Sequence, residues 1–166
     1  MLCGLGFDAQ VAHDFAEQNS RGLGTYVQQT VKNFLSATPY PFIVYINNIE
    51  IKTEAFFISI ANSNQFGNNV TIAPKASISD GLLDIVIVKK MSKIRMLYSL
   101  LIQIRLGEIT NTEKKYHDKD ILYFQTKKLR IDNLRHAPLH IDGEPATTAK
   151  HFEIEIAENF FKLLQP

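Results

Sequence analysis

Two polar segments interrupt apolar stretches of the sequence and contain the residue types best suited to chemistry. The first lies within Asn62–Val88; its polar part opens with an Asn-Ser-Asn triplet and ends in Asp80-Gly81, and an apolar run from Leu82 to Val88 follows. Asp-Gly before such a run predicts a tight turn that leads into a buried strand. Because loops held between strands commonly carry binding and catalytic groups, the polar residues of this segment are candidates for a functional site.

The second polar segment is Asp142-Gly143-Glu144-Pro145. Glycine permits a sharp turn and proline fixes the next φ angle, so the segment predicts a turn that can point Glu144 into a cleft. A carboxylate in that position can accept a proton from an attacking hydroxyl group, as carboxylates do in kinases. The alternative is a surface hairpin with solvated acids, because short acidic turns are common.

Three sequence blocks together resemble the diacylglycerol kinase and sphingosine kinase family, and most closely its bacterial lipid kinases. In chain order they are Gly-Leu-Gly-Phe-Asp-Ala at 4–9, then Asn-Ser-x-x-Phe-Gly, Ile-Ala-Pro-x-Ala and Asp-Gly-Leu-Leu-Asp within 62–84, and His-Ile-Asp-Gly-Glu-Pro at 140–145. Their order and spacing match over nearly the whole chain. One departure is the Asn68-Asn69 pair, where the family often has glycines. Asn also tolerates left-handed backbone, so the loop can keep its shape.

The resemblance implies a domain organisation. Members of the family carry an N-terminal nucleotide-binding half with a Gly-Gly-Asp-Gly-Thr-type phosphate loop, and no such loop occurs in this sequence. Residues 1–166 are therefore expected to form a single domain, the C-terminal, lipid-side half of a two-domain lipid kinase, with the N-terminal nucleotide-binding domain as its partner. We expect this chain alone to be inactive, because it lacks the glycines that hold phosphate.

The resemblance also implies roles for single residues. Glu144 is expected to be the general base that takes the proton of a lipid hydroxyl group. Magnesium is expected to bind the Asp80 carboxylate and the backbone carbonyls of Ser77 and Leu82. Mg²⁺ prefers oxygen ligands and retains water, so a single carboxylate with carbonyls would form a partly hydrated site. The alternative at Asp80 is an Asp-Gly turn without a metal.

Substrate contacts are expected at four polar residues: Asn62, Ser63, Asn64 and Asp142. The first three directly follow a predicted buried strand and could face an inter-domain cleft and the lipid head group. The alternative is that their side chains cap a turn. His140 lies two residues before Asp142, and we interpret it as a strand histidine with satisfied hydrogen bonds rather than as a residue that lines the cleft.

The function implied by the resemblance is ATP-dependent transfer of a phosphoryl group to a lipid hydroxyl group. The cofactor would be Mg²⁺, and the substrate diacylglycerol or a related lipid. ATP is expected to bind mainly to the absent N-terminal half. The protein is expected to be cytoplasmic, peripheral at the membrane surface, and able to form a homodimer. Basic residues within 89–95, 114–115 and 127–130 could contact an anionic surface, although each cluster alone is more typical of a solvated face.

Two other functions remain open. One is a non-catalytic lipid-binding module that keeps the fold; the intact Asp142-Gly143-Glu144 segment argues against it. The other is a kinase of the same superfamily that acts on a soluble substrate such as NAD. A Gly-Gly-Asp-Gly-type loop upstream of this chain would favour a kinase, and its absence there would favour the module.

Composition excludes several other classes of protein. The chain has 166 residues, of which 45% are hydrophobic and 21% are charged, as is typical of a globular domain. The net charge of +1 and the lack of a recognition motif argue against a nucleic-acid partner. Cys3 is the only cysteine, so no internal disulfide can form, and it has no basic neighbour that would make it a nucleophile. No apolar run reaches the length of about 18 residues that a membrane span needs.

Most of the predicted elements that would position these residues are short strands. They are Phe42–Ile46, Ile49–Thr53, Ala55–Ala61, Leu82–Val88, Asp120–Gln125, Lys128–Ile131, Pro138–Ile141 and His151–Ile156. A two-residue hairpin turn is predicted at Asn47-Asn48, because Asn tolerates positive φ. Short strands with turns between them predict an antiparallel sandwich or barrel, and the resemblance implies a β-sandwich-like domain.

Three helices complete the predicted fold, which is mainly β with a few helices (α+β). Asp8 is predicted to cap the first helix, which ends near residue 18. The second is predicted over residues 26–37. Ser92 is predicted to cap the third, which covers residues 93–106 and has Ile94 on its inward face. A short terminal element is predicted over residues 159–164.

Overall fold

A computed structural model describes residues 1–16, 33–34, 36–63, 73, 75–99 and 119–157 of the chain. Most of the described residues lie in strands. These are β1 (Leu2–Gly6), β2 (Tyr40–Ile46), β3 (Ile49–Ala61), β4 (Leu83–Lys89), β5 (Ile121–Thr126), β6 (Lys128–Asn133), β7 (Leu139–Ile141), β8 (Glu144–Ala146) and β9 (His151–Glu155). Helix α1 (Phe7–Ala16) follows β1, and helix α2 (Lys93–Ser99) follows β4.

The described strands form one antiparallel sheet. Its order is β8-β7-β1-β3-β2-β6-β9, with β4 paired to β3 and β5 paired to β4. Strand β3 has 13 residues and connects two parts of the sheet. Its first half pairs with β2, whereas its second half pairs with β1 and β4. The sheet curls around its enclosed apolar face, which confirms the prediction of an antiparallel, sandwich-like fold.

Apolar side chains are buried on both faces of the sheet, and β4 contributes to both. Ile85 and Ile87 belong to the enclosed core. Val86 and Val88 belong to a second cluster on the opposite face, together with Met96 of α2. A strand with both faces covered needs apolar residues at every position, which explains why this part of the sequence is a continuous apolar run.

The predicted Asn47-Asn48 hairpin turn is confirmed. Both residues have positive φ angles, 45° and 69°, and Ile46 pairs with Ile49 across the turn. Two positive φ angles match the right-handed twist of the flanking strands. Asn is one of the few residues that adopt such angles at low cost.

The prediction of two separate strands between residues 49 and 61 is wrong. Ile49–Ala61 is one continuous strand, with a shift in its pairing to β4 between Ala55 and Phe57. Glu54, the polar residue between the two predicted strands, stays at the surface and forms a 2.7 Å salt bridge with Lys90. An exposed charged residue therefore fits within the strand and does not end it.

The helices differ from the prediction in two details. Helix α1 begins at Phe7, so Asp8 lies within its first turn instead of capping it. Ser92 caps α2 as predicted, since its hydroxyl oxygen accepts the N–H of Arg95 at 3.3 Å. Ile94, however, is 85% exposed, whereas Met96 is fully buried. Residues two positions apart lie on nearly opposite sides of a helix, so the burial of Met96 turns Ile94 toward solvent.

Several predicted elements lie outside the described residues. Asn33, Phe34 and Ser36 are helical, but most of the predicted second helix is not described. The same holds for the predicted third helix beyond Ser99 and for the terminal element at 159–164. In the described ranges, no helix has the length and apolar character needed to cross a membrane.

Candidate active site

Four strands of the sheet end side by side, and we call this row of strand ends the site edge. It is formed by the start of β1, the end of β3, the start of β4 and the end of β7. Leu2 pairs with Ala61, Ala61 pairs with Asp84, and Cys3 pairs with Ile141. Because neighbouring strands are antiparallel, the site edge brings together three segments that are distant in the sequence: 62–63, 77–82 and 142–144.

The three segments share the site edge but do not all flank adjacent strands. Strands β1 and β3 lie between β7 and β4 in the sheet. Adjacent strands are about 4.8 Å apart, so the strand ends next to Asp142 and Asp80 are separated by roughly 14 Å as measured along the sheet. A metal ion bound at Asp80 would therefore be distinct from a base at Glu144.

The Asp142-Gly143 turn joins β7 to β8 and presents Glu144. The two turn residues have positive φ angles, 50° and 85°, and Ile141 pairs with Glu144. This is the two-residue hairpin geometry for which Asp-Gly is favoured. The predicted turn is thus confirmed, whereas a cleft around Glu144 stays a prediction. Glu144 is exposed at the first position of β8, so its carboxylate lies at the surface of the site edge.

Asp142 fixes this hairpin to β1. Its N–H donates to the carbonyl oxygen of Leu2 at 2.7 Å, and its Oδ1 accepts the N–H of Leu2 at 2.7 Å. Two hydrogen bonds to the same residue hold the turn against the first strand. Asp142 therefore orients the hairpin, and its contact with substrate stays a prediction.

A buried pair of ionisable residues lies behind the hairpin. His140 in β7 is 1% exposed, and its Nε2 lies 3.4 Å from Oδ2 of Asp8 in α1. Nδ1 of His140 accepts the N–H of Gly143 at 3.2 Å. Burial raises the pKa of Asp8, and the interaction with His140 opposes that rise. These contacts confirm that His140 is a buried strand histidine, with Nδ1 hydrogen-bonded to Gly143 and Nε2 facing the carboxyl group of Asp8 at ion-pair distance.

Gly4 provides the space for this pair. It lies opposite His140 in the β1–β7 ladder, and a Cβ atom at this position would overlap both Oδ2 of Asp8 and Nε2 of His140. Any other residue would push the two side chains apart. The interpretation of Asp8 as a helix cap misses this arrangement. The available signal was that Gly4, Asp8 and His140 all belong to blocks that carry the family resemblance.

Cys3 is excluded as a nucleophile at neutral pH. Burial raises the pKa of its thiol to about 12, and the carboxylates of Asp8 and Asp142 contribute to the rise. The thiol therefore stays protonated, whereas the thiolate is the reactive form.

Asn62 and Ser63 follow β3 at the site edge. The N–H of Asn62 donates to the carbonyl oxygen of Met1 at 3.0 Å. The side-chain Oδ1 of Asn62 is buried and receives no hydrogen bond from the described residues. A buried oxygen without a donor is costly, so a donor group on a ligand would stabilise it. Asn64 lies outside the described residues, and substrate contacts at all three positions stay a prediction.

The turn before β4 carries the predicted metal ligands. Gly81 has a φ angle of 68°, and Oδ1 of the exposed Asp80 accepts the N–H of Leu82 at 3.0 Å. The hydroxyl groups of Ser77 and Ser79 lie 3.1 Å apart. The described part of the chain contains no cluster of three or more His, Cys, Asp or Glu side chains. The donor types of the turn fit a hard cation such as Mg²⁺, held by one carboxylate, carbonyl oxygens and water.

Asp84 is buried directly behind this turn. Its Oδ1 accepts the hydroxyl of Tyr123 at 2.6 Å, and its Oδ2 accepts the amide of Gln125 at 3.2 Å. The Tyr123 oxygen in turn accepts the N–H of Lys75 at 3.0 Å, which ties the loop to β5. Burial raises the pKa of Asp84, and the negative charge of Asp80 contributes to the rise. A cation bound at the turn would offset the repulsion between the two carboxylates.

We expect Asp80→Ala to abolish the response of the protein's thermal stability to magnesium. The variant loses the only carboxylate among the predicted ligands, and carbonyl oxygens alone hold Mg²⁺ weakly. The measurement is the thermal midpoint with and without millimolar Mg²⁺, which should rise for the wild type only. Ser79→Ala, in the same turn but outside the predicted ligand set, should respond as the wild type does. An equal response of wild type and Asp80→Ala would show that the metal site is elsewhere or absent.

Comparisons with known proteins identify relatives along almost the whole chain. Residues 2–162 match the family described as the YegS C-terminal NAD kinase beta sandwich-like domain. A protein of Shewanella frigidimarina named "Probable lipid kinase YegS-like" is 31% identical over 153 residues, which cover 90% of this chain and 47% of the relative. A protein of the same name from Chromohalobacter salexigens is 26% identical over 163 residues, which cover 97% of this chain and 47% of the relative.

Solved structures share the fold. A Bacillus anthracis str. Sterne protein, provisionally named a diacylglycerol kinase, has a TM-score of 0.65 at 19% identity over 94% of this chain and 48% of its own. A second structure of that description has a TM-score of 0.64 at 21% identity, over 94% of this chain and 49% of its own. This chain spans about half the length of the curated relatives that it matches. The family match over residues 2–162 and the 31% identical relative show that the chain belongs to the family of the YegS C-terminal NAD kinase beta sandwich-like domain.

Proposed function

We propose that this chain is the acceptor-side domain of an ATP-dependent lipid kinase, in which Glu144 takes the proton of the attacking hydroxyl group. The observation that carries the proposal is the hairpin at 142–144. Two hydrogen bonds between Asp142 and Leu2 fix its turn, and the carboxylate of Glu144 is left exposed at the site edge. A general base needs a carboxylate that is both accessible and held by a rigid scaffold. The names of the two bacterial relatives, which describe lipid kinases, support the reaction class.

In the proposed reaction, the hydroxyl oxygen of the lipid attacks the γ-phosphorus of ATP. The bond from that phosphorus to the β–γ bridging oxygen breaks, ADP leaves, and the hydroxyl proton passes to the carboxylate of Glu144. Phosphoryl transfer depends mainly on positioning and on electrostatic stabilisation. Asn62 and Ser63 lie on the same edge as the hairpin and are proposed to hold the lipid head group there.

Magnesium is the proposed cofactor of the Asp80 turn. The Asp80 carboxylate and the backbone carbonyls of Ser77 and Leu82 would hold it. When bound, it supplies positive charge that offsets the carboxylates of Asp80 and Asp84. Because the turn lies roughly 14 Å along the edge from the Glu144 hairpin, these residues act on the structure of the loop and not on the proton transfer.

Access to a bilayer lipid is proposed to depend on the site edge more than on basic patches. Lys90 forms a salt bridge with Glu54 at 2.7 Å, and Lys128 lies 3.6 Å from the carboxylate of Glu155. Such pairs reduce the positive charge that could attract anionic lipids. We propose a cytoplasmic protein that contacts the membrane peripherally, where ATP and the lipid can meet.

A kinase for a soluble dinucleotide is the second candidate function. One observation favours it: the matching family is described as NAD kinase beta sandwich-like. A dinucleotide would also offer a hydroxyl group to Glu144, so the base would be the same and only the acceptor would differ. A non-catalytic lipid-binding module would not need an exposed carboxylate on a fixed hairpin, so we do not favour it.

Phosphoryl transfer by the full-length protein to a panel of acceptors tests the proposal. The reaction contains radiolabelled ATP and Mg²⁺, with diacylglycerol, monoacylglycerol or sphingosine in mixed micelles and with NAD in a parallel sample. We expect label in a lipid and none in NAD. Label in NAD alone would contradict the lipid assignment, and label in no acceptor from a folded protein would favour the non-catalytic module.

The 166-residue chain by itself is expected to transfer no phosphate to lipid. ATP is proposed to bind mainly to a nucleotide-binding domain outside this chain, because the sequence has no Gly-Gly-Asp-Gly-Thr-type loop. The same radiolabel assay measures this, with circular dichroism as the folding control. Transfer to diacylglycerol at a rate near that of the full-length protein would show that the nucleotide site lies within these residues.

A further inference from the structure

The fold alone does not explain why Asp8 and His140 are buried together. Burying a carboxylate and an imidazole costs more free energy than burying apolar side chains of similar volume. The hairpin itself needs no histidine, because positive φ angles at its two central residues already define the turn. Gly4 also leaves space for the pair at a strand position where a side chain would otherwise pack. Asp8, His140 and Gly4 all lie behind the hairpin that carries Glu144.

The hydrogen bond from Gly143 determines which ring nitrogen of His140 is protonated. The N–H of Gly143 can only donate, so Nδ1 of His140 must be the unprotonated nitrogen that accepts it at 3.2 Å. The ring proton is then on Nε2, which faces Oδ2 of Asp8 at 3.4 Å. The carboxylate of Asp8 favours this tautomer and thereby keeps Nδ1 available to Gly143.

Helix α1 holds Asp8 in place on the other side of the pair. Oδ1 of Asp8 accepts the N–H of Ala9 at 2.8 Å. The helix is fixed to β7 by His13, whose Nε2 donates to the carbonyl oxygen of Leu139 at 2.8 Å. The contacts therefore form a continuous series from α1 through Asp8 and His140 to the amide of the residue directly before Glu144.

We propose that Asp8 and His140 are positioning residues for Glu144, which hold the Gly143 amide and so keep the carboxylate at the start of β8 in the geometry that proton transfer requires. This inference rests on the proposed function of Glu144 as the base. A displacement of about 1 Å in an active site can lower turnover about 10²-fold. His140 is buried behind the hairpin, so the loss of its contact should lower kcat and leave KM for the lipid nearly unchanged.

Two variants of His140 separate its two contacts. In His140→Asn, the side-chain oxygen takes the position of Nδ1 and can still accept the N–H of Gly143, but the side chain no longer reaches Asp8. In His140→Gln, the amide extends toward Asp8 and leaves no acceptor at the Nδ1 position. We expect His140→Gln to lower kcat of the full-length protein by about 10- to 100-fold, with KM changed less than about twofold. His140→Asn should retain most of the wild-type kcat.

Three further variants in the same assay make the result interpretable. His151→Gln, at an exposed histidine of β9, controls for the exchange of histidine for glutamine and should keep the wild-type kcat. Asp8→Asn keeps an oxygen that can accept the Nε2 proton, so its kcat should lie between those of the wild type and His140→Gln. Glu144→Gln reports on the base itself.

The outcomes distinguish the positioning role from the proposed function. A wild-type kcat in His140→Gln, together with an inactive Glu144→Gln, would overturn the positioning role and leave the base assignment intact. A wild-type kcat in Glu144→Gln would overturn both. An equal loss in His140→Asn and His140→Gln would also overturn the positioning role, since the bond to Gly143 would then not matter.

A spectroscopic measurement on the wild type covers the case in which a His140 variant fails to fold. The nitrogen chemical shifts of a histidine ring report which nitrogen carries the proton. We expect an unprotonated Nδ1 and a protonated Nε2 for His140 in the folded full-length protein. A protonated Nδ1 would contradict the hydrogen bond from Gly143 and overturn the proposal.

Discussion

Glu144→Gln in the full-length protein is expected to lower kcat by about 10²- to 10⁴-fold, the usual range for the loss of a general base. Glutamine keeps the size and a hydrogen-bonding oxygen of glutamate but cannot take a proton at neutral pH. Glu144 is exposed at the start of β8, so the fold should remain intact. ATP binding should change little, since its proposed site lies outside this chain. Steady-state kinetics measure the effect, with circular dichroism as the folding control.

Two other acidic residues provide controls for this result. Glu153→Gln changes an exposed glutamate of β9 that lies 3.6 Å from Lys128, a surface pair worth at most about 1 kcal/mol, so it should keep the wild-type kcat. Asp142→Asn should be milder than Glu144→Gln, because an amide oxygen can still accept the N–H of Leu2. If Glu144→Gln kept more than about a tenth of the wild-type kcat, the loss would be smaller than the usual loss for a general base. Glu144 would then be a turn residue and not the base.

Gly6→Ala is expected to destabilise the domain by about 2–6 kcal/mol, from backbone strain and from a steric clash. Gly6 ends β1 with a φ angle of 101°, where a residue with a Cβ atom is strained by about 1–3 kcal/mol. The new Cβ atom would also overlap the backbone carbonyl oxygen of Phe56, and relieving such overpacking costs about 1–3 kcal/mol. Folded domains have a total stability of only about 5–15 kcal/mol, so the variant should unfold at a clearly lower denaturant concentration.

Gly143→Ala separates the backbone strain from the steric clash. Gly143 also has a positive φ angle, 85°, but a Cβ atom there would meet nothing within 4 Å. This variant should therefore show only the strain, about 1–3 kcal/mol. Chemical denaturation of both variants gives the comparison. If both lose the same free energy of unfolding, the backbone near Phe56 relaxes around the new Cβ atom without measurable cost.

Structural features that depend only on residues close together in the sequence could be predicted from the sequence. The Asn47-Asn48 turn and the Asp142-Gly143 turn follow from residues that adopt positive φ angles. The alternation in β9 follows from residue type alone: Phe152 and Ile154 pack against the enclosed core, and the residues between them are exposed. In each case the cause lies within a few residues of the predicted feature, so a single sequence contains the necessary information.

Contacts between distant segments could not be predicted in the same way. Asp8 matches the pattern of a helix cap, and only the register of β1 against β7 brings it next to His140. Asp84 interrupts an apolar run, and its hydrogen bond to Tyr123 depends on the pairing of β4 with β5. Register is set by the whole sheet, so neither partner is visible in the local sequence.

In the candidate site, too, local features could be predicted from the sequence and the arrangement of distant segments could not. The sequence predicts the turns at 80–81 and 142–143 and names their polar residues. Their arrangement along one edge, with β1 and β3 between them, depends on the order of the strands. The family resemblance supplied the expected roles of the residues, but the separation of the metal turn from the Glu144 hairpin comes from the sheet.

The pH dependence of kcat tests most directly whether the carboxylate of Glu144 takes the proton of the acceptor hydroxyl group. A base must be deprotonated to act, so the wild-type kcat should fall about tenfold per pH unit below the pKa of the base in the enzyme–substrate complex. Glu144→Gln lacks this group, and any effect of ATP protonation is common to both proteins. Our expectation is therefore that the ratio of wild-type to Glu144→Gln kcat decreases as the pH is lowered through that range. A ratio that stays constant at every pH would contradict it.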